Sequence, residues 1–185
     1  MDNSLVKLPT PDATSADMGS LYLLYGLVSF LRPALIVEAG TYKGHATLVM
    51  AKALRDNGVD GEVWSADPKD YGAQQLIEGT DLADYVRLYQ GDFADMLNGP
   101  LAERKIRFAF VDSGPIVDEK QMPEPGCPGN LRIEHFNALL GKLPSHGIIA
   151  VDDVGTGGWP GCEEIKQMAS LFLPQGKGIA IVQRR

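Results

Sequence analysis

The chain has 185 residues, of which 44% are hydrophobic, and a formal net charge of −7, so it is long enough for one domain with a sizeable core. The acidic balance argues against nucleic acid as a partner, because phosphate contacts need a basic face. No apolar run is long enough to span a membrane and the first residues lack the features of a signal peptide, so we expect a cytoplasmic protein without membrane contact.

The chain is predicted to begin with an arm and a long helix. Residues 1–16 are polar, with prolines at positions 9 and 11, which indicates an N-terminal arm. Residues 18–31 are apolar and favour a helix, which ends at Arg32-Pro33 because proline disfavours helical geometry in the preceding residue. We expect residues 17–185 to form a single domain.

From residue 35 onwards, strand and helix patterns alternate. The predicted strands are 35–39, 62–66, 86–90, 106–111, 147–151 and 178–183, and the predicted helices between them are 45–57, 72–80, 93–104, 130–142 and 162–173. Alternation of this kind predicts an α/β fold with a doubly wound, mostly parallel sheet and helices on both faces. Ligands of such sheets bind beyond the carboxyl ends of the strands, where each of the first five strands here ends in or next to an acid.

The first strand and the turn after it form the most informative segment. The strand 35–39 is apolar on both faces, as a buried parallel strand is, and it carries Glu38 near its end. Gly40 and Gly44 allow a sharp turn and a close approach of the backbone to a ligand. An acid at this point suits a ligand with an ammonium or hydroxyl group better than a pyrophosphate, and S-adenosylmethionine is such a ligand.

Two further acids suggest how an adenosine group would be bound. Asp67 ends the second strand, where a carboxylate can accept hydrogen bonds from both hydroxyls of a ribose, although it could instead cap the turn at Pro68. Asp92 and Phe93 follow the third strand and suit adenine, as an acceptor for its amino group and a wall for its ring. Asp92 could equally be the N-cap of the next helix, and both roles can hold at once.

Three acids are candidates for a metal site. Asp112 follows the fourth strand and Asp152 and Asp153 follow the fifth, and neighbouring strands lie only about 4.8 Å apart. Ligands that are all oxygen favour Mg²⁺, Ca²⁺ or Mn²⁺ over zinc. The alternative is that Asp112 orients a substrate while the aspartate pair caps the loop that follows.

One histidine and two loops complete the candidate site. His45 lies in the first turn of the helix after the glycine turn, where it could remove a proton from a substrate hydroxyl. The loop 113–130 is too long for an ordinary connection, and we expect it to form a substrate wall and lid together with residues 154–161. Trp159 could stack on an aromatic acceptor or simply pack.

These motifs resemble a known family. The segment Glu38-Ala-Gly40-Thr-Tyr-Lys-Gly44-His-Ala-Thr47 resembles the first motif of class I S-adenosylmethionine-dependent methyltransferases. The form is that of catechol and caffeoyl-CoA type O-methyltransferases and of related bacterial natural-product methyltransferases. Phe110-Val111-Asp112 and Val151-Asp152-Asp153 resemble two later motifs of that group, and the resemblance runs in order over residues 17–153.

The resemblance implies a Rossmann-like class I methyltransferase fold and a set of functional residues. The cofactor-binding residues would be Glu38, Gly40, Tyr42, Gly44, Thr47, Asp67, Asp92, Phe93 and Asp112. Mg²⁺ or another divalent cation would be bound by Asp112, Asp152 and Asp153, and the catalytic residues would be His45 and Asp112.

The chain departs from that group at three points. Pro115 stands where catechol-type enzymes have a lysine base, and Asp153 stands where they have an asparagine. We also expect a single strand after residue 173, so that the antiparallel strand pair at the C-terminal end of the fold is truncated. A sheet edge left open in this way could be covered by a second copy, which predicts a homodimer.

The residues and the resemblance together predict an enzyme that transfers a methyl group to a hydroxyl of a small-molecule acceptor. Three alternatives remain. One is an N-methyltransferase of a small amine, and another is a non-catalytic protein that binds an adenosyl ligand. A nicotinamide-dependent oxidoreductase is disfavoured, because the Gly-x-Gly-x-x-Gly spacing is absent and Glu38 would face a pyrophosphate.

Overall fold

A computed structural model of the protein describes residues 17–114, 130–155, 161–174 and 176–185. The helices within these residues are α1 (Met18–Leu31), α2 (His45–Asp56), α3 (Ala73–Glu78), α4 (Phe93–Asn98), α5 (Asn130–Lys142) and α6 (Cys162–Met168), with a 3₁₀ turn at Ala83–Tyr85. The strands are β1 (Leu35–Ala39), β2 (Glu62–Asp67), β3 (Val86–Gln90), β4 (Phe108–Val111), β5 (Ile148–Val151), β6 (Leu171–Leu173) and β7 (Ile179–Gln183). The predicted arm 1–16 and most of the predicted loop 113–130 lie outside the described residues.

The described strands form one mixed sheet in the order β3-β2-β1-β4-β5-β7-β6. The first five strands of this order are parallel to one another, whereas β7 runs antiparallel to both β5 and β6. The strand order reverses between β1 and β4, which is where ligands of open α/β sheets bind. The predicted α/β fold class with a doubly wound, mostly parallel sheet is therefore confirmed.

The core has one layer on each face of this sheet. On one face, α1 and α2 pack on the sheet through buried side chains such as Leu24, Leu48 and Leu54. On the other face, helices α4 to α6 contribute Met96, Phe136 and Ile165, among others. The central strands β1 and β4 are buried at every residue, because both of their faces are covered.

Helix α1 has a well-defined beginning and end. The carboxylate of Asp17 accepts hydrogen bonds from the backbone N–H groups of Gly19 (2.7 Å) and Ser20 (3.1 Å), which is an N-cap. Arg32 ends the helix in a left-handed conformation at φ 47°, immediately before Pro33. This end is the one that the sequence predicts. None of the helices in the described part of the chain has the length and apolar character that a membrane crossing needs.

The C-terminal part of the chain corrects one prediction. Residues 162–173 are not one helix, because α6 ends at Met168 and residues Leu171–Leu173 form β6. The Ser170 N–H donates to the Ile181 carbonyl (2.8 Å), and Leu171 then pairs with Ile181 in an antiparallel ladder. The predicted truncation of the strand pair is therefore wrong, and the open edge that suggested a homodimer is filled by the chain's own strands.

Several other elements are shorter than predicted, and two of them adjoin the amino end of β4. Helix α4 covers Phe93–Asn98 instead of 93–104, because the chain leaves helical geometry at Gly99, where φ is −96° and ψ is −103°. Strand β4 begins at Phe108 instead of residue 106. Both differences lie at the amino end of β4, on the side of the sheet away from the candidate site.

Candidate active site

The predicted site residues lie along the carboxyl edge of the parallel strands. Glu38 is the fourth residue of β1, and Asp67 is the last residue of β2. Asp92 follows β3 and is the N-cap residue of α4. Asp112 follows β4, and Asp152 and Asp153 follow β5. The parallel register therefore gathers five strand ends at one edge, as the sequence predicts.

The turn between β1 and α2 depends on two glycines with positive φ. Gly40 has φ +95°, and a Cβ there would lie 2.5 Å from the carbonyl oxygen of Asp112. Gly44 has φ +83°, and its N–H donates to the Thr41 carbonyl (2.8 Å) where α2 begins. Only a residue without a side chain allows β1 and β4 to approach this closely at the ends of the strands.

Glu38 is fully buried beneath this turn and is bound by hydroxyl groups. The hydroxyls of Thr47 and Ser65 both donate to Glu38 Oε2, Ser65 over 2.5 Å. Thr41 Oγ1 lies 2.6 Å from Ser65 Oγ. Since the single hydroxyl proton of Ser65 is directed at Glu38, Thr41 is the donor in that contact. The described residues offer no hydrogen-bond partner for the buried Oε1 of Glu38.

Burial raises the pKa of Glu38 from 4.5 to about 7. The hydrogen bonds from Ser65 and Thr47 oppose this rise, and the negative charge of Asp67 adds to it. The carboxyl group of Glu38 therefore changes its protonation near neutral pH in the ligand-free protein.

Glu38→Gln is expected to weaken the pH dependence of the stability of the ligand-free protein. Because the folded pKa of Glu38 is about 7 and the ordinary value is 4.5, the folded protein retains a proton that the unfolded chain has lost. This contribution to stability is complete below the ordinary pKa and is lost as the pH rises through the folded pKa. The loss is about 1 kcal/mol between roughly pH 6 and 8.

Thermal unfolding measured across that pH range tests this prediction. The Glu38→Gln variant keeps an acceptor but has no charge, so its Tm should change less with pH than that of the wild type. Glu103→Gln, at an exposed position, is the matched control and should behave as the wild type does. Equal pH dependence in the wild type and in Glu38→Gln would contradict the raised pKa of Glu38.

Asp67 links the glycine turn to a pocket. Its Oδ2 accepts from the backbone N–H of Tyr42 (3.0 Å), and its Oδ1 accepts from the N–H of Lys69 (3.1 Å). Each carboxylate oxygen can accept a second hydrogen bond, so the group retains capacity for two hydroxyls. Asp67 lines a pocket together with Thr41, Tyr42, Lys69, Asp70, Ala73, Gln74, Leu88, Tyr89 and Gln90.

Tyr42 forms part of the wall of this pocket. It has a left-handed backbone, with φ 48°, and its ring packs at 5.1 Å from the ring of Tyr71. The Lys43 ammonium lies 5.2 Å from the centre of the Tyr42 ring. The predicted cofactor-binding residues Tyr42 and Asp67 are thus brought together, whereas the hydroxyl of Thr47 is engaged with Glu38.

Asp92 caps helix α4, which is one of the two roles that the sequence left open for it. Asp92 is exposed, and its Oδ1 accepts from the Ala94 N–H (2.7 Å), so it is an N-cap. Phe93 is 2% exposed, and its ring lies 4.7 Å from the ring of His135. The two residues border the same edge of the sheet as Asp67, and their contact with an adenine ring stays a prediction.

The three aspartates that follow β4 and β5 converge. One carboxylate oxygen from each of Asp112, Asp152 and Asp153 lies within 4.8 Å of the others. Asp153 adopts a left-handed backbone, with φ 60°, in the turn that begins after β5. The hydroxyl of Ser20, on α1, donates to Asp152 Oδ1 (3.1 Å), so the long first helix also reaches this cluster. The predicted convergence of these carboxylates is confirmed, and metal binding stays a prediction.

A buried arginine that the sequence analysis missed contacts this cluster. Arg132 Nη2, from α5, donates to Asp112 Oδ1 at 3.0 Å and to Asp153 Oδ2 at 3.3 Å. The Arg132 side chain is only 3% exposed. Lys177 adds a second cation, with Nζ 3.7 Å from Asp153 Oδ1. The acid cluster is therefore an ion-pair network that contains its own positive charges.

Repulsion within the cluster and burial shift the pKa values of two of its acids. Burial and then the charge of Asp152 raise the pKa of Asp112 well above its ordinary value, while Arg132 opposes the rise. Burial and the charge of Asp153 raise the pKa of Asp152 to about 6. A cluster of this kind can exchange protons close to neutral pH.

His135 is a second residue whose position was not anticipated. Its Nδ1 lies 2.8 Å from the hydroxyl oxygen of Ser113, the residue after Asp112. Burial lowers the pKa of His135, although the charges of Asp92 and Glu134 oppose the shift. A sequence signal was available: residues 132, 135, 136 and 139 lie on one face of a helix, so Arg132 and His135 share the buried face of Phe136 and Leu139.

The remaining predicted residues lie partly outside the described chain. His45 is half-buried as the first residue of α2, and its role as a base stays a prediction. Trp159 and Pro115 lie outside the described residues, as does most of the predicted wall and lid.

Comparison with known proteins identifies the family. The sequence model of a family described as "Methyltransferase domain" matches residues 37–154, which is more than half of the chain and includes all the predicted acidic site residues. The chain belongs to this family. A comparison of this chain with curated proteins finds no match.

Solved structures of methyltransferases have the same fold as this chain. The SAH-bound methyltransferase from Podospora anserina has 18% identity and a TM-score of 0.70, over 95% of this chain and 83% of that one. The O-methyltransferase TomG from Streptomyces achromogenes, in complex with SAM, has 18% identity and a TM-score of 0.70, over 92% and 81% of the two chains. An O-methyltransferase from Bacillus cereus in complex with SAH has 19% identity and a TM-score of 0.71, over 96% and 84%. The class I methyltransferase fold implied by the sequence motifs is thus confirmed.

Proposed function

We propose that this methyltransferase uses S-adenosylmethionine to methylate a hydroxyl group of a small-molecule acceptor. The observation that carries the proposal is the position of Asp67, which ends β2, is bound by the backbone of the glycine turn and lines a pocket. Solved structures of the same fold include an O-methyltransferase in complex with SAM, which favours the same donor here.

The residues at the edge of the sheet suit the chemistry of this donor. Asp67 retains acceptor capacity for two ribose hydroxyls, and Tyr42 with Tyr71 provides an aromatic wall beside it. The Oε1 atom of Glu38 is a buried acceptor without a partner among the described residues. Gly40 keeps the backbone at the strand end free of a side chain, which allows a ligand to approach closely.

The chemistry follows from this donor. S-adenosylmethionine supplies an electrophilic methyl group on a sulfonium. In methyl transfer, a lone pair of the acceptor oxygen forms the new O–C bond as the C–S bond breaks, and S-adenosylhomocysteine leaves. The protein's main contribution is to align the acceptor oxygen with that bond, and such positioning supplies several kcal/mol in related reactions.

The hydroxyl proton must move to a base on the protein. His45, at the start of α2, is the proposed base, and Asp112 is proposed to orient the acceptor. A lysine base is not available at the position where catechol-type enzymes carry one, because this chain has Pro115 there.

Calorimetric titration of S-adenosylmethionine tests the donor site. We expect micromolar binding to the wild type, and we expect Asp67→Ala to weaken it by about tenfold or more, because the ribose hydroxyls lose their acceptor. Asp84→Asn is the matched control, since Asp84 precedes β3 at the opposite edge of the sheet, and it should bind as the wild type does. The absence of binding to the wild type would refute the proposed function.

Product analysis separates the hydroxyl acceptor from the alternative amine acceptor. The wild type is incubated with donor and with matched phenol and aniline probes, and the methylated products are identified by mass spectrometry. Methyl transfer to oxygen supports the proposal, and transfer to nitrogen alone would replace it with an N-methyltransferase.

A further inference from the structure

We propose that the guanidinium group of Arg132 occupies the place of a divalent cation in the acid cluster, so that this methyltransferase works without a metal ion. The inference deepens the proposed function and rests on it for the reaction, while its claim about the cluster can be tested separately. It concerns the three carboxylates of Asp112, Asp152 and Asp153.

The guanidinium lies between carboxylates that follow two neighbouring strands. A metal ion that served this cluster would bridge carboxylates from β4 and β5. Arg132 Nη2 already bridges them, since it lies 3.0 Å from Asp112 Oδ1 and 3.3 Å from Asp153 Oδ2. Mg²⁺ would need oxygen ligands at about 2.0–2.1 Å in octahedral geometry, and it could take Asp112 Oδ1 and Asp153 Oδ2 as ligands only if the guanidinium gave up this bridge.

Arg132 cannot leave this position easily. Its side chain is 3% exposed, and it projects from the same face of α5 as the buried residues His135 and Phe136. A buried guanidinium needs its carboxylate partners, because an uncompensated charge is strongly unfavourable in the protein interior. The arginine is therefore built into the site and differs from a surface side chain that a metal could displace.

The surroundings of the three carboxylates already carry positive charge. Lys177 Nζ lies 3.7 Å from Asp153 Oδ1, so two cations already face the three carboxylates. A divalent ion would lie within a few ångströms of a buried positive charge, and the repulsion there is only weakly screened. The protein therefore already provides much of the charge compensation that a metal would supply.

The inference bears on the class of acceptor. A metal that polarises a hydroxyl favours acceptors with two adjacent oxygens that can chelate it. With Arg132 in the cluster, an acceptor needs no vicinal diol. Catechol-type enzymes have a lysine base where this chain has Pro115, and this difference also argues against a catechol as the acceptor.

Manganese titration followed by electron paramagnetic resonance tests the proposal, because bound Mn²⁺ loses the sharp spectrum of the free ion. The Asp152→Asn variant lacks one carboxylate of the cluster and measures nonspecific Mn²⁺ binding. The wild type should bind no more Mn²⁺ than this variant does. Arg132→Met should gain one saturable Mn²⁺ site that the wild type lacks, because the guanidinium no longer repels the ion. Arg132→Lys keeps a cation, and Arg104→Met removes an exposed arginine that pairs with Glu62 instead, so neither should gain a site.

Two results would overturn the proposal. One is a Mn²⁺ site in the wild type that Asp152→Asn abolishes, and the other is a folded Arg132→Met protein that binds no ion. If Arg132→Met does not fold, the comparison of wild type with Asp152→Asn still decides between the two readings. Donor binding is measured in the same samples, so a protein that binds neither donor nor metal would refute the proposed function and leave the inference about the cluster standing.

Discussion

Gly40→Ala is expected to lower the free energy of unfolding by about 3–5 kcal/mol, through backbone strain and overpacking together. The glycine has φ +95°, a conformation that alanine adopts only with strain. Its Cβ would also lie 2.5 Å from the carbonyl oxygen and 2.8 Å from the carbonyl carbon of Asp112. These are backbone atoms of the neighbouring strand end, so they cannot rotate away as a side chain would.

Gly72→Ala provides a matched control for this substitution. Gly72 has nearly the same backbone conformation, with φ +94°, but a Cβ there would meet nothing within 4 Å. Its replacement should therefore show the strain alone, about 1–2 kcal/mol. Urea unfolding of the two variants and the wild type measures the difference, which is the effect of the contact between β1 and β4. Equal losses in the two variants would mean that the strand ends can separate to admit a methyl group.

The part of the fold around β1 and β4 could be predicted largely from the sequence. The segments that became β1 and β4 are apolar on both faces, and this pattern is typical of strands covered by helices on both sides. The two glycines after β1 then indicated a sharp turn into a helix, which is how α2 begins. Local patterns and tertiary structure agree in this half of the molecule, so the doubly wound, mostly parallel sheet followed from general rules of connection.

The C-terminal part could not be predicted in the same way. Strand β6 has only three residues, and it directly follows α6 after a two-residue break. Three residues are too few to show an alternating pattern, so they read as a continuation of the helix. What makes them a strand is the antiparallel pairing with β7, which is an interaction between distant residues.

The candidate site, like the fold, could be predicted only in part from the sequence. The acids at the strand ends were predictable, because strands in parallel order bring their carboxyl ends to one edge. The partners of these acids were not. Arg132 and His135 come from α5, about twenty residues further along the chain, and only the tertiary structure places them against Asp112 and Ser113. Their position on the apolar face of a helix was the one sequence signal that they are buried.

Arg132→Met is expected to destabilise the protein by about 2–3 kcal/mol, because it leaves two carboxylates of the cluster without their shared cation. The effect is somewhat below that of a fully buried ion pair, since the side chains of Asp112 and Asp153 are 25% and 16% exposed. Asp112→Asn alone should cost less, because burial and the charge of Asp152 already raise the pKa of Asp112 and disfavour its ionised form. In the double variant much of the loss should be recovered, which corresponds to a coupling energy of about 1–2 kcal/mol.

The pair formed by Arg104 and Glu62 is the control for this double-mutant cycle. Its N–O distance of 2.6 Å is shorter than the 3.0 Å between Arg132 and Asp112, but its side chains are 45% and 20% exposed. Solvent screens such a pair, so its coupling should stay below about 1 kcal/mol in spite of the shorter distance. Urea unfolding of both sets of variants gives the two coupling energies. If the exposed pair were coupled as strongly as the buried one, Arg132 would be an ordinary ion-pair partner and the cluster would not depend on a resident cation.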